Sequence, residues 1–296
     1  MFRQILALIA FPAGLDNPVS EGPDLAVIEA VRALSLPGGP GSHQPGGRVY
    51  LMHVRERSRG FFGAAAPSGG PLPQGLTATA RALAHEGIEV VTHFCDGRLT
   101  EEVDRVVREE QIDVVVVGRP ARGWGDHGLR VVRLADAPVL VMPEGTTLRR
   151  GTAVVGMDFS HNAVAAWAAA RGFLTTVTAV AILDPEGEQA NEKVLRAQVL
   201  ETWRAAVATL KASGTVAENA NADLRIVAST RPADTLLLLA KGADLLAVGS
   251  RGLTPLAAVL LGSTAEKLGA KFPNPLLVFR DPGTRRGLFE SFLGAS

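Results

Sequence analysis

One cysteine, Cys95, is present in 296 residues, so no disulfide can close within the chain. That usage suits a reducing compartment. Cys95 ends an apolar run over 88–94 and reads as a buried structural thiol, not a reactive one. No excess of charge exists either, since 30 lysines and arginines face 30 aspartates and glutamates. Nothing in that balance draws the chain to nucleic acid or to an anionic membrane surface. Long apolar runs are missing, and none approaches the ~18 residues of a membrane span. Residues 5–11, behind Arg3, have two readings: the core of a signal peptide or a buried strand. A similar run over 153–157 opens the second half of the chain, which favours the strand and a cytoplasmic protein. Also lacking are a G-x4-G-K-[ST] phosphate loop and a G-x-S-x-G nucleophile elbow. The six histidines (His43, His53, His85, His93, His127, His161) show no metal-ligand spacing with the single cysteine, so no protein metal site is expected.

What is present fits a folded protein of two domains. Apolar residues make up 47% and charged residues 20%, enough for a sizeable core. The chain reads as a weak internal repeat. In the second half, strands are expected at 153–157, 176–183, 224–228, 245–248 and 276–279. Helices are expected at 162–173, 191–212, 232–241 and 264–271, with Gly242 in the left-handed position that closes the third. The first half repeats the order: strand 4–11, helix 23–35, strand 48–54, helix 76–86, strand 88–95, helix 100–110, strand 112–117 and strand 138–142. Short, nearly unbroken apolar strands alternating with helices predict two tandem Rossmann-like α/β domains. Each would be a five-stranded parallel sheet with helices on both faces. The expected limits are 1–145 and 150–282, followed by a tail over 283–296. Residues 36–47 and 60–75 are rich in Gly and Pro and read as loops.

The strongest motif follows the strand ending at Val248. Gly249-Ser250-Arg251-Gly252 is separated by nine residues from Gly262-Ser263-Thr264, giving G-x2-G-x9-G-S between a strand and a helix. Glycines let backbone N–H groups approach a phosphate, and the helix start adds unpaired N–H groups and a positive dipole end. The alternative for Ser263-Thr264-Ala265-Glu266 is a capping box that satisfies the helix by itself. Capping alone does not explain three glycines at these intervals. Asp158, just before a helix, is either an N-terminal cap or a ligand.

G-x2-G-x9-G-S after a strand resembles the signature of the ATP-binding branch of the universal stress protein family. Residues 243–252 and Gly156-Met157-Asp158-Phe159-Ser160 are similar to that family's fourth strand and first-strand end. The likeness is strong over 150–282 and covers 1–145 only in outline. It implies an adenine-nucleotide-hydrolase-like fold, with Asp158 and the backbone near Ala181 at the base. Val248 and Gly249 would line the ribose and phosphate side. Gly252, Gly262, Ser263 and Thr264 would hold the phosphates of ATP, usually with Mg²⁺ or Mn²⁺. Arg251 lies in the same loop, where a phosphate contact and a solvated surface role are equally open. The resemblance further implies that the two halves pack as an intramolecular pseudo-dimer, with a homodimer of chains a further possibility.

The first half lacks both marks. The position matching Asp158 falls at about Phe11 or Pro12, and the loop and helix after Gly118 are six residues shorter than those after Gly249. The literal G-x-G-x-x-G from Gly123 to Gly128 follows a fourth strand, whereas a dinucleotide fingerprint follows a first. A silent copy is therefore expected. The leading reading is a stress-response module regulated by ATP in the second domain, with no catalytic residues and at most slow hydrolysis. Two others compete. An adenylyl-transfer enzyme of the related adenine-binding α/β group would need a glycine-rich loop after the first strand, which 156–162 does not offer. A nucleotide-free scaffold would show no thermal shift with ATP.

Overall fold

Four consecutive valines, Val114 to Val117, are almost completely buried. Unbroken apolar runs of this kind belong in strands covered on both faces. The computed structural model describes residues 2–10, 22–35, 47–56, 73–121, 123–124, 126–185, 192–250 and 263–280. The chain divides into two compact units between Leu148 and Arg149.

The first unit runs β1 (Gln4–Leu8), α1 (Gly22–Ser35), β2 (Arg48–Arg55), α2 (Gln74–His85), β3 (Val90–Asp96), α3 (Leu99–Glu109), β4 (Val114–Arg119), α4 (Asp126–Leu134) and β5 (Val139–Pro143). Its strands lie in the order β3-β2-β1-β4-β5, all parallel. The second unit runs β6 (Thr152–Met157), α5 (His161–Arg171), β7 (Thr176–Leu183), α6 (Glu192–Ala212), β8 (Asp223–Ala228), α7 (Pro232–Leu239), β9 (Leu245–Gly249), α8 (Ser263–Lys271) and β10 (Leu276–Phe279). Its order, β8-β7-β6-β9-β10, is the same. Right-handed crossovers then put the first two helices of each unit on one face of its sheet and the last two on the other. In keeping with that, α3 packs on α4 and α7 on α8.

The sequence shows why these elements form. In α3 the buried residues are Leu99, Val103, Val106 and Val107, one stripe at helical spacing. Its first turn carries Glu101 and Glu102 and its last Arg108, matching the dipole. Gly242 follows α7 with φ +86°, as expected of a residue closing a helix. The matched segments 112–118 and 243–249 share an aspartate for a structural reason. Asp113 Oδ2 accepts the N–H groups of Arg3 (2.6 Å) and Gln4 (2.9 Å), while Asp244 Oδ2 accepts that of Thr152 (2.8 Å). Each carboxylate pins the start of the neighbouring central strand.

Several boundaries differ from the expectations. β1 stops at Leu8 instead of residue 11, although Ile9 N still donates to Met52 O at 3.0 Å. Between β4 and β5 the first unit keeps a helix, α4, after its shortened loop. In the second unit the core is closed by aromatic packing: Trp167 of α5 and Trp203 of α6 meet edge to face, 4.9 Å between centroids and 81° between planes. The Trp203 indole N–H donates to Ala222 O at 2.9 Å, so its polar end is satisfied. The tail over 283–296 lies outside the described residues. No helix among the described residues is long and apolar enough to cross a membrane.

Candidate nucleotide site

In each unit the chain winds one way from its first strand and then returns to the other side, so the switch point lies between the first and fourth strands. Ligands of doubly wound sheets bind in the crevice beyond the strand ends at that point. In the second unit the point lies between β6 and β9, and a cavity of about 380 Å³ opens there. Gly156, Met157 and Asp158 reach it from β6 and Val248 and Gly249 from β9. Ser263 and Thr264 begin α8 on its rim, and Pro232 and Leu236 of α7 cover one side. Five residues expected at the site are thus brought together: Asp158, Val248, Gly249, Ser263 and Thr264. Arg251, Gly252 and Gly262 lie outside the described residues.

The strand at Ala181 borders the cavity through Val180 and Ile182, while Ala181 itself is 2% exposed and does not line it. Successive strand residues point to opposite faces, so an error of one position exchanges cavity for core. The strand ends at Leu183, as expected, so Ala181 lies two residues inside it.

The cap that the sequence left open at Asp158 falls to Ser160 instead. Ser160 is the N-cap of α5, its Oγ accepting from Ala163 N at 3.2 Å. Asp158 stands one step back, where its Oδ1 accepts from Ser160 N (3.0 Å) and Ser160 Oγ (2.6 Å). Phe159 between them has φ 60°, and this sharp bend leaves the Asp158 side chain exposed at the cavity. The helix therefore does not depend on Asp158 for its cap.

Two glycines fix the site's shape. A β-carbon on Gly156 would lie 3.0 Å from Leu236 Cδ1 and 3.3 Å from Val248 Cγ1, so its absence keeps the cavity base open. On Gly249 it would lie 2.5 Å from Ala163 N and 2.8 Å from Asn162 C, where the first turn of α5 crosses the end of β9. Gly249 thus serves helix–strand packing as well as the cavity. Ser250, the next residue, is 2% exposed and anchored on three sides. Its N–H donates to Phe279 O (2.8 Å), its carbonyl accepts from Asn162 Nδ2 (2.6 Å), and its hydroxyl accepts from Arg280 Nε (3.2 Å). Neither Asn162 nor Arg280 was legible as part of this root, because both bonds join residues distant in sequence.

The profile of the universal stress protein family matches residues 29–143 and again 150–280. The chain belongs to that family. Its universal stress protein halves are two tandem copies, and solved structures agree on the fold. A functionally unknown protein from Pseudomonas aeruginosa PAO1 is 19% identical, with a TM-score of 0.57 over 99% of this chain and 98% of its own. A universal stress protein from Archaeoglobus fulgidus DSM 4304 is 16% identical, with a TM-score of 0.60 over 93% of this chain and 98% of its own. A universal stress protein in complex with cAMP is 26% identical over 45% of this chain and 98% of its own, with a TM-score of 0.34. No curated protein matches.

The first universal stress protein half has a cavity at the equivalent switch point, of about 200 Å³. Pairing registers make the comparison residue by residue. Leu8 pairs with Met52 and Val117, as Gly156 pairs with Val180 and Val248. Ala10 therefore stands where Asp158 stands. Sequence spacing points to Phe11 or Pro12, both outside the described residues; the registers correct this by one to two positions. Leu8 replaces Gly156, so a side chain occupies what is open space in the second half. Arg119 replaces Ser250, and its guanidinium, buried and donating to Gly123 O at 3.2 Å, holds the shortened loop. Of the G-x-G-x-x-G run, Gly123 is an exposed loop residue with φ +75°, Gly125 lies outside the described residues, and Gly128 is buried in α4. Among the described residues no group of three or more His, Cys, Asp or Glu side chains is placed to hold a metal ion.

Proposed function

We propose that the second half binds ATP, with Mg²⁺ or Mn²⁺ on its phosphates, and that occupancy of this site regulates the protein. The observation that carries the reading is the meeting of Asp158, Val248, Gly249, Ser263 and Thr264 around one cavity at the switch point. Its volume, about 380 Å³, falls in the ~300–1,000 Å³ range usual for small-molecule sites. Asp158 offers an acceptor at the β6 end, suited to an amino group of the base. The first turn of α8 offers N–H groups and hydroxyls at the rim, suited to phosphate. The glycines of G-x2-G-x9-G-S connect β9 to that helix in sequence.

Regulation is favoured over turnover by the same geometry. Among the described lining residues Asp158 is the one carboxylate, and its Oδ1 is already engaged by Ser160. A fast hydrolase needs a general base within reach of the attacking water. Calorimetry with ATP and Mg²⁺ tests the reading: one nucleotide per chain is expected. Two equal sites would show that the first half is not silent, and no binding at millimolar ATP would favour the nucleotide-free scaffold.

A further inference from the structure

The first half's cavity is apolar at its base, and among its described lining residues one is a carboxylate. Leu8, Met52 and Val117 are buried beneath it, and Trp124, 8% exposed, lines it. Asp24 enters from the first turn of α1, its Oδ2 accepting from Ala10 N at 3.1 Å. Burial raises its carboxyl to about pKa 6, because desolvation outweighs that one bond. An acidic residue in a first turn often does no more than answer the helix dipole. Here the residue also lines an apolar cavity, which dipole partnership alone does not require.

Nearby cations are directed elsewhere. Arg119 donates to Gly123 O, and Arg130 donates to both oxygens of Glu56 at 2.7 and 2.8 Å. His53 has its Nδ1 2.9 Å from Ile9 O, so that nitrogen must carry the proton and donate, and burial lowers the ring's pKa. Among the described residues no basic side chain is paired with Asp24. A nucleotide does not suit this place. The cavity, about 200 Å³, is below the usual ligand-site range. Glu56, held ionised with its pKa lowered to about 2 by Arg130, lies 3.8 Å from the lining residue His127 and engages the cation that phosphate would need.

We propose that this cavity is a binding site for a small primary amine with an aromatic body, its ammonium group on Asp24 and its ring against Trp124 and the Leu8–Met52 base. The carboxylate supplies a charge-assisted hydrogen bond, and Trp124 offers an aromatic neighbour to the ring. The site is separate from the nucleotide reading and does not depend on it.

Calorimetry on the full chain at about pH 8, with and without excess ATP, tests the site using three probes of one shape: benzylamine, benzyl alcohol and benzoate. Benzylamine is expected to bind once per chain, at least tenfold tighter than benzyl alcohol, with no binding of benzoate. Asp24→Asn is expected to abolish the preference for the amine without lowering the melting temperature. Ala10→Phe, at an exposed position on the cavity's edge, is expected to block both ligands. The proposal is overturned if alcohol and amine bind equally, if Asp24→Asn keeps the preference, or if benzylamine gives no binding up to its solubility limit. Displacement of benzylamine by ATP would also overturn it, because that would place the amine in the second half.

Discussion

Asp158 and Ser160 lie two residues apart and should fail differently. Loss of a hydrogen bond to a charged group costs about 1.5–3 kcal/mol, so Asp158→Ala is expected to weaken ATP roughly 10- to 150-fold. Ser160→Ala removes a cap worth about 1 kcal/mol and should register mainly in chemical denaturation. Unchanged ATP affinity in Asp158→Ala, with lowered stability, would reduce Asp158 to a support for the cap. Gly249→Ala is expected to destabilise by about 1–3 kcal/mol even without ligand, since its β-carbon meets the backbone of α5. A melting temperature equal to wild type would refute that contact. Asp24 gives a pH signature. Its pKa rises from 3.8 unfolded to about 6 folded, so the folded state holds the proton more tightly. The penalty is complete above pH 6 and fades as the pH falls toward 4, with a ceiling of ~3 kcal/mol. Asp24→Asn should therefore stabilise the chain at pH 8 and have little effect at pH 4. Urea midpoints that shift equally at both values would contradict this.

At the scale of elements, strands and helices were legible because period-2 and period-3.6 patterns are local. β7 and β10 fall where the apolar runs put them, and the Asp113–Asp244 correspondence marked the repeat. The lining of the candidate cavity was legible where a motif fixes position, as at Val248, Gly249, Ser263 and Thr264. It was not legible where parity decides, as at Ala181 against Val180 and Ile182, since strand ends float by a residue. Contributions from elements outside the motif were also hidden. Leu236 belongs to a helix with an ordinary apolar face, and nothing in that pattern says which leucine lines the cavity. Asn162 is another such case. Its side chain ties α5 to the carbonyl of buried Ser250, so Asn162→Ala would leave that acceptor unsatisfied. A loss of about 1–3 kcal/mol is expected in denaturant unfolding, and no loss would mean that water replaces the amide.

At the scale of the whole molecule, the same topology is used twice with different contents. Leu8 and Ala10 stand where Gly156 and Asp158 stand, so transplanting the first half's residue tests the asymmetry directly. Gly156→Leu is expected to fill the second cavity and remove all ATP binding from the chain, with the circular dichroism spectrum preserved. Residual binding of one nucleotide would locate a site in the first half. ATP at ~100 times its Kd should stabilise the wild type by about 2.7 kcal/mol, and this gain should vanish in the variant. The three tryptophans are partitioned unevenly between the halves: Trp124 lines the first cavity, while Trp167 and Trp203 form the edge-to-face pair of the second unit. The molecule therefore carries its own optical labels. With Trp124 exchanged for Phe, every photon emitted from an indole comes from the second half. The 4.9 Å separation couples the two remaining chromophores closely enough to contribute a paired signal in the near ultraviolet. Melting of one half can then be followed by colour alone, with no dye attached.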